Sequence, residues 1–249
     1  MKVRTRFFIS LFFVCFALSL SSEDLPNFPF TTGEKLEYDI SWGFIPVGTA
    51  TLAINLITEA PQKYWQINFS VSTNDFADAF YKVRTRVRSE VDYSFSKSLY
   101  YSKNQQEGKT VKSIEVKFDY DQQLCFYSEN SRENKPLSID GNVFDPLSIV
   151  YAFRLHLHKT GERKVISTCD GKKSLAISIK VGEKERVRVP LGKFTTHSAT
   201  PEMKNLSGVF KKSPKGILRV WYSVEDNRIP ILIKSKVVVG SFTAKRRKA

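Results

Sequence analysis

A chain of 249 residues, 41% hydrophobic and 13% aromatic, has the makeup of a folded protein rather than a disordered one. At this length it can bury a sizeable core without a structural metal or disulfide. Its formal charge of +14 is uneven: residues 23–159 carry 15 Lys and Arg against 18 Asp and Glu, and residues 160–249 carry 21 against 7. The basic excess therefore belongs to the C-terminal part, which ends in KRRKA, and favours anionic partners such as phospholipid headgroups or glycans. A solvated basic face that aids solubility is the plainer alternative.

In chain order, the first segment is MKVRTRFFISLFFVCFALSLSS. A basic start (Lys2, Arg4, Arg6), an apolar run from Phe7 to Leu20 and then small residues form the pattern of a secretory signal, with cleavage expected after Ser21. The apolar run of 14 residues is short for a bilayer span, which needs about 20. The expectation is an exported, periplasmic chain in which residues 22–249 form one β-rich domain with a basic tail. Removing the signal leaves Cys125 and Cys169, and an even pair in an oxidising compartment is a candidate disulfide. Closing a loop of about 45 residues would stabilise by roughly 4 kcal/mol; two unpaired buried thiols are the alternative.

Period-two alternation dominates the rest of the chain. KLEYDISW sets Leu36, Tyr38, Ile40 and Trp42 on one face, and ATLAINLI does the same with Ala50, Leu52, Ile54 and Leu56. Between them Trp42, Phe44, Ile45 and Val47 make an apolar tip, read as a loop because Pro46 cannot donate to a ladder. YWQINFSVS, KVRTRVRSEVDY, LYYSKNQQEG, TVKSIEVKFDY and LCFYSE continue the rhythm, as do KVISTC, LAISIKV, ERVRVP, FTTHSAT, ILRVWYSV and PILIKSKVVVGSFTAK. DPLSIVYAFRLHLH breaks it: Asp145 suits an N-cap, Pro146 the first helical position, and Leu147, Val150, Tyr151 and Arg154 come next at helical spacing. A short turn of helix is also expected within NDFADAFYK. The fold class is mainly β: a curved antiparallel sheet, barrel or half-barrel, with one central helix against its concave side.

GEKLEYDISWGFIPVGTATL, VRSEVDYSFSKSLYYSKNQQEGK, FDPLSIVYAFR and RVWYSVEDNRIPILIKSKVVVGSFTAK, taken in that order with VRVPLGKFTTHSATPE, resemble the exported bacterial family known as domain of unknown function 3108. The resemblance runs from about Gly33 to Lys245. It implies export and a β-rich domain, and it implies no activity. The basic ending departs from the family's more usual apolar continuation.

The chemistry-bearing motifs are few. There is no GxSxG elbow, Walker loop or HExxH. His156 and His158 point apart on a helix, and His197 is the one further histidine, so no metal site and no cofactor are expected. Asn68 and Asn205 head glycosylation sequons, which matter only on a eukaryotic secretory route. Asp145, Glu225 and Asp226 could serve as acids, but helix capping and turn chemistry explain them better, and no catalytic residue is assigned. Arg154, on a helix facing a sheet, needs a partner: a strand carboxylate, or a bound anion.

The leading expectation is a non-enzymatic envelope protein that binds an amphipathic or anionic ligand, lipid or glycan, or a partner protein, through Trp42, Phe44, Ile45, Val47 and Arg154. Nucleic acid is not expected, since no aromatic-plus-basic RNA signature appears. Peripheral membrane contact through the basic C-terminal half is. A carboxylate-dependent hydrolase or transferase acting on envelope glycans, and a purely structural scaffold, are the two alternatives.

Overall fold

The structure is a computed structural model that describes residues 27–59, 61–156, 158–202, 217–237 and 240–248. The expected signal, residues 1–21, and the Asn205 sequon lie outside the described residues. Fifteen strands form one antiparallel sheet: β1 (Glu34–Trp42), β2 (Ile45–Ile57), β3 (Tyr64–Thr73), β4 (Val83–Asp92), β5 (Ser98–Glu107), β6 (Thr110–Asp119), β7 (Leu124–Glu129), β8 (Arg132–Glu133), β9 (Leu137–Ser138), β10 (Arg163–Cys169), β11 (Ser174–Val189), β12 (Gly192–Pro201), β13 (Ile217–Ser223), β14 (Pro230–Val237) and β15 (Gly240–Arg246). Among the described residues the helices are α1 (Asp75–Asp78) and α2 (Ile149–Arg154). The hydrogen-bonded order runs from β10 up to β15, crosses to β1, and continues to β8, with β9 attached to β7.

The ladder is not closed. Its two ends nevertheless meet, because the sheet curls until β7 and β10 bring Cys125 and Cys169 into contact. The segment after β9 fills this seam: Ile139 N–H donates to the Gln123 carbonyl, and Phe144 exchanges backbone hydrogen bonds with Ser167 and Cys169. Neighbouring strands rotate by roughly 20–25° each, so a sheet this wide has to curl.

Alternation sets the inside and the outside. Leu36 and Tyr38 on β1, Leu52 and Ile54 on β2, and Trp65 and Ile67 on β3 point into the main core. A smaller cluster of Val187, Val189, Trp221, Ile231 and Leu232 packs separately. α2 is enclosed by the sheet, with Tyr151, Ala152, Phe153 and Arg154 all buried.

Two local expectations are corrected. The helix starts later than the sequence suggests: Ser148 is the N-cap residue, while Asp145 accepts from the N–H groups of Leu147 and Ser148 and organises the turn before it. The connection between β1 and β2 is also tighter than expected, because β2 begins at Ile45 and includes Pro46. A register shift after Ile40 pairs Ser41 with Pro46, and this bulge accommodates a residue without an N–H.

Candidate functional site

The two ends of the strands differ. At one end the interior is packed solid: Phe30 lies 5.2 Å from Phe28, 5.4 Å from Trp65, 4.9 Å from Phe95 and 5.2 Å from Tyr151, ring centre to ring centre. α2 runs from Ile149, on the wall of the open end, to Arg154 at this plug. At the other end an apolar cavity of about 290 Å³ remains between α2 and the inner faces of β10 to β13. Ile149, Val150 and Phe153 form its helical wall, and Ile177, Ile179, Ala199 and Val220 its sheet wall.

The cavity's polar groups are occupied within the protein. The Thr168 hydroxyl donates to the Leu175 carbonyl at 3.0 Å, and the Tyr222 hydroxyl to the Val150 carbonyl at 3.4 Å. Burial pushes the Tyr222 phenol well above its ordinary range, so it stays neutral. Asp170 accepts from the N–H groups of Lys172 and Lys173 and is spent on the β10–β11 turn. Lys173, exposed at the cavity's edge, brings a cation beside the opening. Such walls suit an apolar chain, with the one cationic handle at the rim.

The apolar surface does not stop at the cavity. In cross-strand register, Ala199 pairs with Val220, Val220 with Ile233, Ile233 with Ala244, Ala244 with Ile40, and Ile40 with Gly48. A second row nearer the open end runs Leu218, Ser235, Phe242, Trp42. Registered partners in adjacent strands share a face, so Trp42 stands on the same inner face as Leu218 of the cavity wall. Three strand spacings of roughly 4.8 Å separate them, about 14 Å. Leu218, Val220, Ile233, Phe242, Ala244 and Ile40 are only half-buried.

The predicted tip residues take several positions. Val47 is buried, while Trp42 is 48% and Phe44 94% exposed, with Ile45 at the margin. The Asn74 N–H donates to the Val47 carbonyl and the Asn74 side chain to Pro46, which ties the tip to the β3–β4 connection. That connection adds exposed Phe76, Phe80 and Tyr81. An aromatic rim thus crowns the open end. The β3–β4 aromatics were missed in the sequence because nothing local relates residues 76–81 to residues 42–45.

Arg154 has a different task from the ligand contact expected of it. Its side chain is fully buried, and its guanidinium donates to both Glu34 oxygens at 2.6 and 2.8 Å, to the Pro29 carbonyl at 2.8 Å, and to the Asn227 carbonyl at 2.7 and 3.1 Å. It sits at the plugged end, joining α2 to the start of β1 and to the β13–β14 turn. The strand carboxylate, not a bound anion, is its partner.

The carboxylates weighed for acid–base work are also placed. Asp145 is buried and accepts from the hydroxyls of Ser89 and Ser98 at 2.5 and 2.6 Å besides its two backbone donors. Glu225 and Asp226 are exposed in the β13–β14 turn. Among the described residues no group of three or more His, Cys, Asp or Glu is placed to hold a metal ion. No helix among them is long and apolar enough to cross a membrane. A larger depression of about 1050 Å³ lies at the plugged end, between Lys63, Asp92, Lys97, Lys117 and Asp119. It is broad and open, and its charges of both signs serve local turns and rings: Asp92 accepts from the Ser96 and Lys97 N–H groups, and Lys97 lies 4.3 Å from the Tyr120 ring centre.

A β-rich shell with a plugged end and an open apolar end is the class of structure these observations define. The family model described as protein of unknown function DUF3108 matches residues 37–247, and the chain belongs to that family. The fold is similar to that of a solved β-barrel-like protein of domain of unknown function DUF1849 from Brucella abortus, with a TM-score of 0.59 at 11% identity, covering 88% of this chain and 97% of that one. A search of the curated proteins finds no match.

Proposed function

We propose that this is a non-enzymatic protein of the bacterial envelope that binds an amphipathic molecule, its apolar chain in the cavity beside α2 and its anionic head near Lys173. The observation that carries the reading is the 290 Å³ cavity whose polar lining groups are already satisfied and whose half-buried walls continue towards an aromatic rim. Each methylene moved from water into such a site contributes about 0.8 kcal/mol, so a chain of modest length offsets the cost of association. The N-terminal 21 residues support export. The basic excess after residue 160 supports contact with an anionic lipid surface.

The test is extraction of the exported protein with organic solvent and mass analysis of the extract, followed by titration of the delipidated protein with cis-parinaric acid. Saturable binding at one site is expected. Ala199→Phe, which fills the cavity, and Leu218→Glu, a change at its half-exposed mouth that folding tolerates more readily, should each weaken it about tenfold or more, or 1.4 kcal/mol. An empty extract together with no saturable binding, or binding that neither substitution alters, overturns the reading.

A further inference from the structure

Cys125 and Cys169 lie 44 residues apart in the chain and at opposite ends of the strand order, yet their sulfurs are 3.3 Å apart. Both thiols are buried. They sit in a seam that is otherwise held without covalent bonds. The β10–β11 turn crosses it: a Cβ on Gly171 would meet Tyr127 at 2.6 Å and Val116 at 2.8 Å, so only glycine lets the turn approach this closely. Lys172 reaches across to Glu129 at 2.8 Å and covers the Tyr127 ring at 4.5 Å. β7 and β10 themselves are not paired; instead Phe144, in the segment after β9, bridges to Thr168 on β10.

We propose that in the exported protein Cys125 and Cys169 are joined by a disulfide that fastens the two ends of the sheet to each other. A disulfide needs about 2.05 Å between sulfurs, so a closure of roughly 1.2 Å suffices, well within what side-chain torsions supply. The bond converts an open ladder into a covalently closed ring. Cys169 also lines the apolar cavity, so the same bond fixes one wall of that cavity against β7.

The chemistry is thiol–disulfide exchange with an oxidant of the protein-disulfide class. The thiolate of one cysteine attacks the oxidant's disulfide, forming a mixed disulfide and releasing one oxidant thiolate. The second cysteine, as thiolate, attacks the mixed disulfide, forming the Cys125–Cys169 bond and releasing the other oxidant thiolate. Two electrons pass to the oxidant, whose two thiolates take up the two protons the cysteines lose. Both sulfurs are closed off in the packed protein, so exchange precedes packing of the seam or passes through its transient opening. Once formed, the bond is sheltered from reductants for the same reason.

The inference rests on export and not on the ligand reading, and its test does not involve a ligand. Full-length protein recovered from the exported fraction is unfolded and alkylated without reductant, then digested with trypsin. The peptides 118–132 and 165–172 should appear as one linked species that separates on reduction. Recovery of both as alkylated monomers overturns the proposal. For its fastening role, the thermal midpoint of the exported protein is compared with that of the same protein unfolded, reduced and refolded in reductant, and of the Cys125→Ala/Cys169→Ala double variant. Both should melt roughly 8–16 °C lower. Linked peptides with unchanged midpoints would leave the bond in place but overturn its fastening role.

Discussion

Removing the Glu34 carboxylate tests whether Arg154 is a structural lock. Its guanidinium is fully buried, and the carboxylate supplies two of its acceptors and the one negative charge in contact with it. In Glu34→Ala the cation keeps the Pro29 and Asn227 carbonyls but loses its counter-charge, a change that costs about 3–5 kcal/mol in buried pairs. Arg154→Met also costs stability, by about 1–3 kcal/mol for each carbonyl left without a donor, while Glu34, whose side chain is 13% exposed, can turn to water. Once Arg154 is methionine, Glu34→Ala should therefore cost less than about 1 kcal/mol, a non-additivity of several kcal/mol across the cycle. Urea unfolding of the four proteins at pH 7 measures this. A Glu34→Ala cost below about 1 kcal/mol in the wild-type background, or equal costs in both backgrounds, would refute the lock. If Glu34→Ala left stability intact and changed anion binding instead, the anion-site reading of Arg154 would return.

Local geometry sets two further outcomes. Burial lowers the His158 pKa from 6.5 to about 4, its ring stacked 4.2 Å from Phe153. The unfolded chain therefore binds the extra proton between these values, so stability is full above pH 6.5 and falls as pH drops towards 4. The ceiling is roughly 3 kcal/mol, and partial solvent exposure of the ring brings the expected loss to about 1–2 kcal/mol. Urea unfolding at pH 7 and 4.5 reads it, and an equal loss in His158→Phe would reject the assignment. Gly48 faces another constraint: a Cβ there would lie 2.2 Å from the Ser72 carbonyl oxygen, which is backbone. Gly48→Ala should lower stability by about 2 kcal/mol or more, since β3 must shift as a whole; a melting temperature within 1–2 °C of wild type would show that the strands yield.

Strand content and the enclosing curvature were legible because period-two alternation is written locally, as Leu36, Tyr38 and Ile40 or Trp65 and Ile67 show, and the interior helix because Leu147, Val150, Tyr151 and Arg154 break it at helical spacing. What was hidden depends on residues brought together from a distance. Glu34 meets Arg154 across 120 positions, and no local pattern could choose it over an anion. Cys125 and Cys169 could be counted, but their adjacency depends on how far the sheet curls before its ends meet. Pro46 misled because a proline argues against a ladder unless a bulge removes the demand on its nitrogen, and a bulge is a property of the pair, not of one strand. The cavity was the least visible feature, since its lining comes from α2 and four strands that no single stretch of chain presents.

A small residue, Ala199, sits in the cavity wall where a larger side chain would fill the space. In the row from Ala199 to Gly48, every large side chain is separated from the next by no more than one small one: Ala199 precedes Val220, Ala244 lies between Ile233 and Ile40, and Gly48 ends the row. At the plugged end the inner positions carry Leu36, Tyr38, Ile54, Trp65 and Ile67 instead, and Phe28, Phe30 and Phe95 close over them. α2 is only six residues long, and its buried arginine fixes its far end to that plug. A helix of about 9 Å cannot fill a barrel whose β2 is 13 residues long, so the space beyond its first turn must be filled by sheet side chains or left open. The small side chain of Ala199, on the cavity wall, helps leave it open. In the proposed binding mode the same fixed floor would set how deep a chain enters, so selectivity by chain length would arise at the plug, and selectivity by headgroup at the rim.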